Sequence, residues 1–347
     1  MKKGGRRDRY GLLVDRVGGT RGKGRWLILT HDNPDPDSIA SAWILALILH
    51  RGFKRQVTIA YGGIIGRAEN REMVQVLGLN MSRVRHINWR HYRHTALVDT
   101  QPHTGNNQLP EDRRPDLVID HHPVRRASRE ARFMDIRPEY GASATMLGEY
   151  LLESGIDFGR RHATALVYAI RTETQDFSRE FASADRRIHD QLLPHVDARA
   201  LGRIQTPRLP LSYFRTLHQA VDNLESVSTL AVSHLGPVEQ PDIVPELADL
   251  VVRLEGKTWS LCTGTFEDRL YLSIRTTNPR ADAGRLMQRV LGRRGKGGGH
   301  GMMAGGWVPL DRAPRGDVHA LQDLLASKLA RALGKNPEKI SPALSSE

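Results

Sequence analysis

Cysteine is almost absent from these 347 residues, and Cys262 stands alone. A single thiol cannot close an intrachain disulfide, so the fold rests on its core, and a reducing cytoplasm is the expected compartment. Long apolar runs are absent as well. The longest, residues 42–49, falls far short of the roughly 20 residues that cross a bilayer and reads as a buried helix. The basic start (Lys2, Lys3, Arg6, Arg7, Arg9) is followed only by a short apolar stretch at 11–14, too brief for the core of an export signal. Residues 1–24 are therefore expected to be a flexible basic N-terminus. There is no internal repeat and no heptad pattern, which sets aside solenoids and coiled coils. The polar, proline-containing end at 335–347 is expected to be disordered.

Positive charge is plentiful. Fifty-one Lys and Arg against 39 Asp and Glu leave a formal net charge of +12, which favours polyanionic partners such as nucleic acid or phosphorylated metabolites, although solubility alone also accounts for such a surface. The length suits two domains, and a hydrophobic share of 39% can fill both cores. In the first half, strand-like runs at 26–30, 57–61, 96–99 and 117–120 are interspersed with helical patterns at 39–50, 67–77, 143–154 and 161–171. This predicts an α/β fold of βαβ units, a parallel sheet with helices on both faces. Residues 191–210, with Pro194, Pro207 and Pro210, read as a connection. Strands at 230–234, 258–266 and 269–275 and helices at 243–254, 282–291 and 318–333 follow, predicting a smaller second α/β domain. The expected division is a catalytic domain at 25–192, a linker at 193–225 and the second domain at 226–334, with a cleft between the two.

Acidic and imidazole side chains gather where strands end. The first strand runs into His31, Asp32, Asn33, Pro34, Asp35, Pro36, Asp37 and Ser38; the third stops at Asp99; the fourth stops at Asp120, followed by His121 and His122. Ligands of open parallel sheets bind outside the carboxyl ends of the strands, so three such ends would share one crevice. Carboxylates suit hard divalent ions, and imidazole tilts the choice toward manganese, iron or zinc. Two such ions could flank a phosphoryl group, with Asp35 and Asp37 facing different ions and Asp99 bridging them. Each residue also has a plainer use. Asp37 or Ser38 could cap the helix that follows, and Asp99 could be a turn residue.

Taken together, His31–Ser38, Asp99 and the triplet Asp120-His121-His122 resemble the DHH phosphoesterase superfamily in order and interval. The segment from Gly295 to Gly306, GKGGGHGMMAGG, resembles the signature of its DHHA1 substrate-binding domain. The resemblance spans roughly residues 26–333. It implies that His31, Asp35 and Asp99 hold one ion, and that Asp37, Asp99 and His121 hold a second. It also implies that His122 contacts substrate phosphate and that Asp120 orients a neighbouring imidazole. Two divalent cations, manganese above all, are the implied cofactors. One position departs from the family. Where an Asp is usual, this chain has Thr172-Glu173-Thr174-Gln175-Asp176, which puts Glu173 at the ligand position with Asp176 as a substitute.

Glycines at 295, 297, 298, 299 and 301 surround His300, and by themselves read equally as a hinge or as a backbone nest for an anion. The resemblance favours substrate capture by Gly298, Gly299, His300 and Arg275. The implied activity is hydrolysis of short oligonucleotides or 3′-phosphoadenosine 5′-phosphate by metal-activated water. A cyclic dinucleotide phosphodiesterase and a nucleotide- or RNA-binding regulator with weakened turnover are the alternatives. The expected partner is a short oligonucleotide or nucleotide phosphate, without a membrane, and a homodimer is left open.

Overall fold

The computed structural model describes residues 9–19, 24–178 and 181–344, with the backbone alone at His300. Two compact units divide the chain, Met1–Pro207 and Arg208–Glu347. Within the described residues, no helix is long and apolar enough to cross a membrane.

The first unit opens with α1 (Arg9–Gly18) and continues β1 (Arg25–Leu29), α2 (Pro36–Leu47), β2 (Val57–Tyr61), α3 (Ala68–Leu77), β3 (Met81–Arg83), β4 (Tyr92–Val98), β5 (Leu117–Asp120) and β6 (Phe133–Ile136). Helices α4 (Ser143–Ser154), α5 (Arg160–Glu173), α6 (Ser183–Leu192) and α7 (Ala198–Gln205) complete it. All six strands are parallel, in the order β3-β2-β1-β4-β5-β6. Trp26 through Leu29 are fully buried, as befits a central parallel strand covered on both faces. Trp26, Ile28, Val98 and Ile119 share a core with α2, α4 and α5. Leu27, Leu29, Leu97 and Val118 meet Val84, Ile87, Trp89 and Leu109 on the other face. Covering on that face therefore comes from loops and 3-10 turns (Val84–His86, Trp89–His91) rather than from long helices.

Two tails correct the sequence expectation. The basic N-terminus holds α1, whose Leu13 and Val17 are fully buried in the first core; residues 1–8 and 20–23 lie outside the described residues. The chain end, expected to be disordered, adds a short edge strand, β13, to the second sheet, because Ser341 and Pro342 find unpaired backbone groups there; residues 345–347 lie outside the described residues. Strand β4 starts four residues before the apolar run because His94 and Thr95, though polar, are buried, with His94 stacked on Trp26 at 4.7 Å. Residues 193–225, expected as a linker, contain α7, whose Leu201 and Ile204 enter the first core, and α8 (Leu211–Asp222) of the second unit.

After α8 the second unit runs β7 (Leu224–Val227), β8 (Leu230–Pro237), α9 (Ile243–Val251), β9 (Trp259–Phe266), β10 (Arg269–Thr276), α10 (Ala283–Leu291), β11 (Lys296–His300), β12 (Met303–Pro309), α11 (Val318–Ala332) and β13 (Ser341–Pro342). Its mixed sheet has the order β11-β12-β10-β9-β8-β7-β13, parallel only between β8 and β9. The glycine segment, expected as a loop, is edge strand β11, joined to β12 by a tight turn with Gly301 at φ 47°. The glycines are there for packing. A Cβ on Gly284 of α10 would lie 2.1 Å from the Gly299 carbonyl oxygen, and one on Gly297 would strike Leu291 and the Gly305 carbonyl. Helix and strand approach this closely only without side chains. Gly298 alone among the three faces open space.

Candidate metal centre

The chain lays β2 and β3 to one side of β1, then returns to place β4 on the other. At that reversal the connections part above the sheet and leave a crevice at the strands' carboxyl ends. His31 follows β1 and Asp99 follows β4, so both open into it. Asp35 caps α2, its Oδ1 accepting from Ser38 N at 2.9 Å, with Pro36 in the first turn. Asp37, in the first turn of α2, accepts from Ser143 N at 2.8 Å and Ala144 N at 2.6 Å at the start of α4. The plainer reading of Asp37 as the cap of α2 thus gives way to Asp35, and Asp35 also faces His31.

Both imidazoles are held the same way. His31 Nδ1 lies 2.8 Å from the Asp32 carbonyl oxygen, and His121 Nδ1 lies 3.2 Å from that of Tyr140. A carbonyl only accepts, so Nδ1 carries the proton and Nε2 points the other way. His31 Nε2 is 3.5 Å from Asp35 Oδ1 and 3.5 Å from Asp99 Oδ2. His121 Nε2 is 3.6 Å from Asp99 Oδ1 and 3.7 Å from Asp37 Oδ2. These gaps are too long for hydrogen bonds and suit donors arranged about a shared centre. Each oxygen of Asp99 addresses a different imidazole, the disposition of a bridging carboxylate. Asp99 is 2% exposed, accepts from Ser143 Oγ at 3.0 Å, and takes a left-handed φ of 57°.

His122 sits at the edge. Its Nδ1 is 2.9 Å from Asp120 Oδ1, and its side chain is 41% exposed. Asp120, 1% exposed, accepts at its second oxygen from Gln101 Nε2 at 2.6 Å. Asp120 thus joins His122 to the buried Gln101 amide. Glu173 ends α5, and its charge raises the pKa of both Asp37 and His122. Asp176 instead pairs with Arg171 at 2.6 Å and is 67% exposed, so it is no substitute. Gln101 and Ser143 escaped the sequence reading. Gln101 stands just past a strand end, where polar residues deserve scrutiny; Ser143 lies in a run of small residues (Gly141–Thr145) with no local signal.

Titration behaviour shows how crowded the negative charge is. Burial pushes Asp37 up, and Asp99, Glu173 and Asp35 push it further, well above the usual carboxylate range. Burial would lower His31, but Asp35 and Asp99 carry it well above its ordinary value. Burial would raise Asp35, yet the His31 charge holds it low. Burial also opposes the charge on His122, and the hydrogen bond from Asp120 with the charges of Asp99, Asp120 and Glu173 raises it to about 9. Carboxylates that must take up protons to coexist are relieved by divalent cations, which displace those protons. His31, Asp35 and Asp99 form one set of donors within 4.8 Å of one another, and Asp99, His121 and His122 form another. The residues fit metal.

The second unit is arranged differently from the expectation. Arg275 is 8% exposed; its Nε donates to Asp249 and its Nη1 donates to Ser273 Oγ at 2.7 Å and to the Ile274 carbonyl at 3.1 Å. A guanidinium with those partners serves the domain's interior, which corrects the expected substrate contact. Gly298 and Gly299 lie on β11, and the side chain of His300 lies outside the described residues.

A parallel sheet whose strand ends bring paired imidazoles around a shared carboxylate is an arrangement suited to metal, and comparison with known proteins gives it a type, DHH. The chain carries both domains of that type: residues 25–173 match the DHH family, N-terminal domain, and residues 228–331 match the DHHA1 domain. It is 36% identical over 286 residues to an uncharacterized protein of Methanocaldococcus jannaschii, covering 82% of this chain and 58% of that protein. The chain thus spans little more than half the length of that relative. Among solved structures it resembles an exopolyphosphatase-related protein from Bacteroides fragilis (TM-score 0.69, 14% identity, 93% of this chain and 96% of that one). It also resembles the exonuclease RecJ bound to manganese (TM-score 0.54, 12% identity, 95% of each chain). At such identities the likeness is one of fold.

Proposed function

We propose that the chain is a phosphoesterase using two divalent cations, manganese the expected ion, to hydrolyse short oligonucleotides or 3′-phosphoadenosine 5′-phosphate. One observation carries this reading: the Nε2 atoms of His31 and His121 address different oxygens of Asp99. His31, Asp35 and Asp99 would hold one ion, and Asp37, Asp99, His121 and Glu173 the other. Bound there, the ions would polarise a phosphoryl oxygen and strengthen water as a nucleophile. The protein supplies the remainder. Gln101 and Asp120 fix His122 with Nδ1 turned inward, so that Nε2 faces out, where it could donate to a phosphoryl oxygen. Open space at Gly298 supports a close backbone approach by substrate at β11, with Gly299 and His300 beside it.

The influence of the Glu173 charge on Asp37 supports turnover over a binding-only regulator, since Glu173 could replace the carboxylate missing from the usual position. The manganese in RecJ, a protein of like fold, supports the choice of ion. A reducing cytoplasm suits Cys262, whose thiol is buried and pushed up to about 12 by that burial, leaving it inert. The test is incubation with manganese and a panel of 3′-phosphoadenosine 5′-phosphate, di- to pentanucleotides, a long single strand and cyclic dinucleotides. Release of mononucleotide or phosphate from the first two classes is expected. Turnover confined to cyclic dinucleotides or to the long strand would replace the substrate assignment, and no turnover by metal-loaded protein would leave a binding protein.

A further inference from the structure

Directly after His122 the chain enters Pro123, Val124 and Arg125, then a 3-10 helix at Arg126–Glu130. Arg125, Arg126 and Arg129 are exposed, and among the described residues none of their guanidinium groups has an ion-pair or hydrogen-bond partner. The nearby cations differ: Arg132 is within 3.5 Å of Asp116, and Arg114 is within 3.3 Å of Glu130.

The placement of these arginines is fixed by Gln101, which is 1% exposed. Its Nε2 donates to Asp120 Oδ2 at 2.6 Å and to the Pro123 carbonyl at 3.1 Å. Its Oε1 accepts from Arg125 N at 2.7 Å and from Ser128 Oγ at 2.8 Å. One buried amide therefore joins the carboxylate that pairs with His122 to the arginine segment at Arg125 and Ser128. In a 3-10 helix residues three apart eclipse one another, with a rise of about 2 Å per residue. Arg126 and Arg129 accordingly share one side of the turn, about 6 Å apart along it.

We infer that Arg125, Arg126 and Arg129 bind the phosphates of a single-stranded oligonucleotide adjoining the one presented to His122. This deepens the proposed function and rests on its reading of His122 as the substrate-facing end of the site. Guanidinium suits the role because its planar fork takes two phosphate oxygens at once. The interval between Arg126 and Arg129 favours a nucleotide strand, whose phosphates are separated by sugars, over an anhydride chain, whose phosphates sit side by side. Unpaired cations also forfeit no ion pair when the strand arrives. The segment thus selects substrates with more than one phosphate.

Binding of a fluorescein-labelled pentanucleotide, followed by anisotropy in EDTA so that nothing is cleaved, tests this on the full chain. Wild-type affinity should fall between about 50 and 200 mM salt, as counterion release requires. The triple variant Arg125→Ala, Arg126→Ala, Arg129→Ala should bind on the order of tenfold more weakly, with a log–log salt slope shallower by about 2, near 0.7 for each lost contact. The charge-matched control is Arg51→Ala, Lys54→Ala, Arg160→Ala. Its residues lie beyond the far end of α2 and at the start of α5, away from the ends that carry Asp35 and Glu173, and it should keep the wild-type slope. The pair Arg126→Glu, Arg129→Glu should nearly abolish binding. Unchanged affinity and slope in the alanine triple, or an equal loss in the control, would overturn the inference. Inorganic polyphosphate displacing the probe at lower phosphate concentration than unlabelled pentanucleotide would overturn the nucleotide strand as occupant. Because no turnover is read, loss of the hydrolase reading and loss of the arginine track appear in separate experiments.

Discussion

Asp99 concentrates the chemistry of the site in one side chain. A non-glycine residue with φ of 57° is held against a penalty of about 1–3 kcal/mol, and such positions cluster where geometry serves function. Here the turn lets one carboxylate meet His31 with one oxygen and His121 with the other. Replacing Asp99 with Ala should therefore weaken both manganese ions together, beyond the roughly 10–100-fold typical of losing an outer-shell partner, and should abolish turnover. Glu173→Gln should weaken one ion only. Calorimetric titration with manganese distinguishes the two, and retention of two tight sites in Asp99→Ala would show that it does not bridge. The proposed ligand residues are legible in the chain because they stand in short motifs at strand ends. Gln101 is not, because its partners are Asp120, Pro123, Arg125 and Ser128, all brought to it by the neighbouring strand.

Among elements, β11 and β8 make claims of their own. Glycines that read as a phosphate loop form a strand pressed against α10, so Gly284→Ala should destabilise the second unit by pushing Cβ into the Gly299 carbonyl. A loss of about 1–3 kcal/mol, the scale of overpacking, is expected from urea unfolding, whereas Gly298→Ala, facing open space, should cost far less. Equal losses would mean that the close approach of α10 and β11 is not what the glycines serve. On β8, burial lowers His234 to about 4, against an ordinary value near 6.5; Asp323 raises it and His319 lowers it, and its Nδ1 pairs with Thr263 Oγ1 at 2.7 Å. Below about 6.5 the unfolded chain takes up a proton that the folded chain refuses until about 4. Stability contributed by this group is thus present above 6.5 and lost as pH falls toward 4. His234→Gln should flatten that part of the stability–pH curve. Neither element could be read in full beforehand, since Gly-rich segments suit hinge, nest or strand equally, and only a packing partner decides among them.

For the whole molecule, two cores imply two responses to ligand. All proposed metal donors lie in Met1–Pro207, so manganese should protect that unit against hydrogen exchange and leave the core of Arg208–Glu347 unchanged. Mass action gives about 2.7 kcal/mol of stabilisation at a hundredfold excess over Kd, reversed by EDTA. Equal protection of both cores by manganese would contradict a site confined to the first unit. Composition and apolar periodicity by themselves determined the α/β class, and motif order pointed to His31, Asp35, Asp37, Asp99, His121 and His122 as the proposed site, because those signals are local in the chain. Tertiary structure decided what each of them faces. Carbonyls of Asp32 and Tyr140 aim the two imidazoles, Asp249 claims Arg275, α10 turns the glycines into a strand, and Gln101 seats the arginines beside His122. Those choices depend on residues far apart along the chain meeting in space, and local spacing carries no record of such meetings.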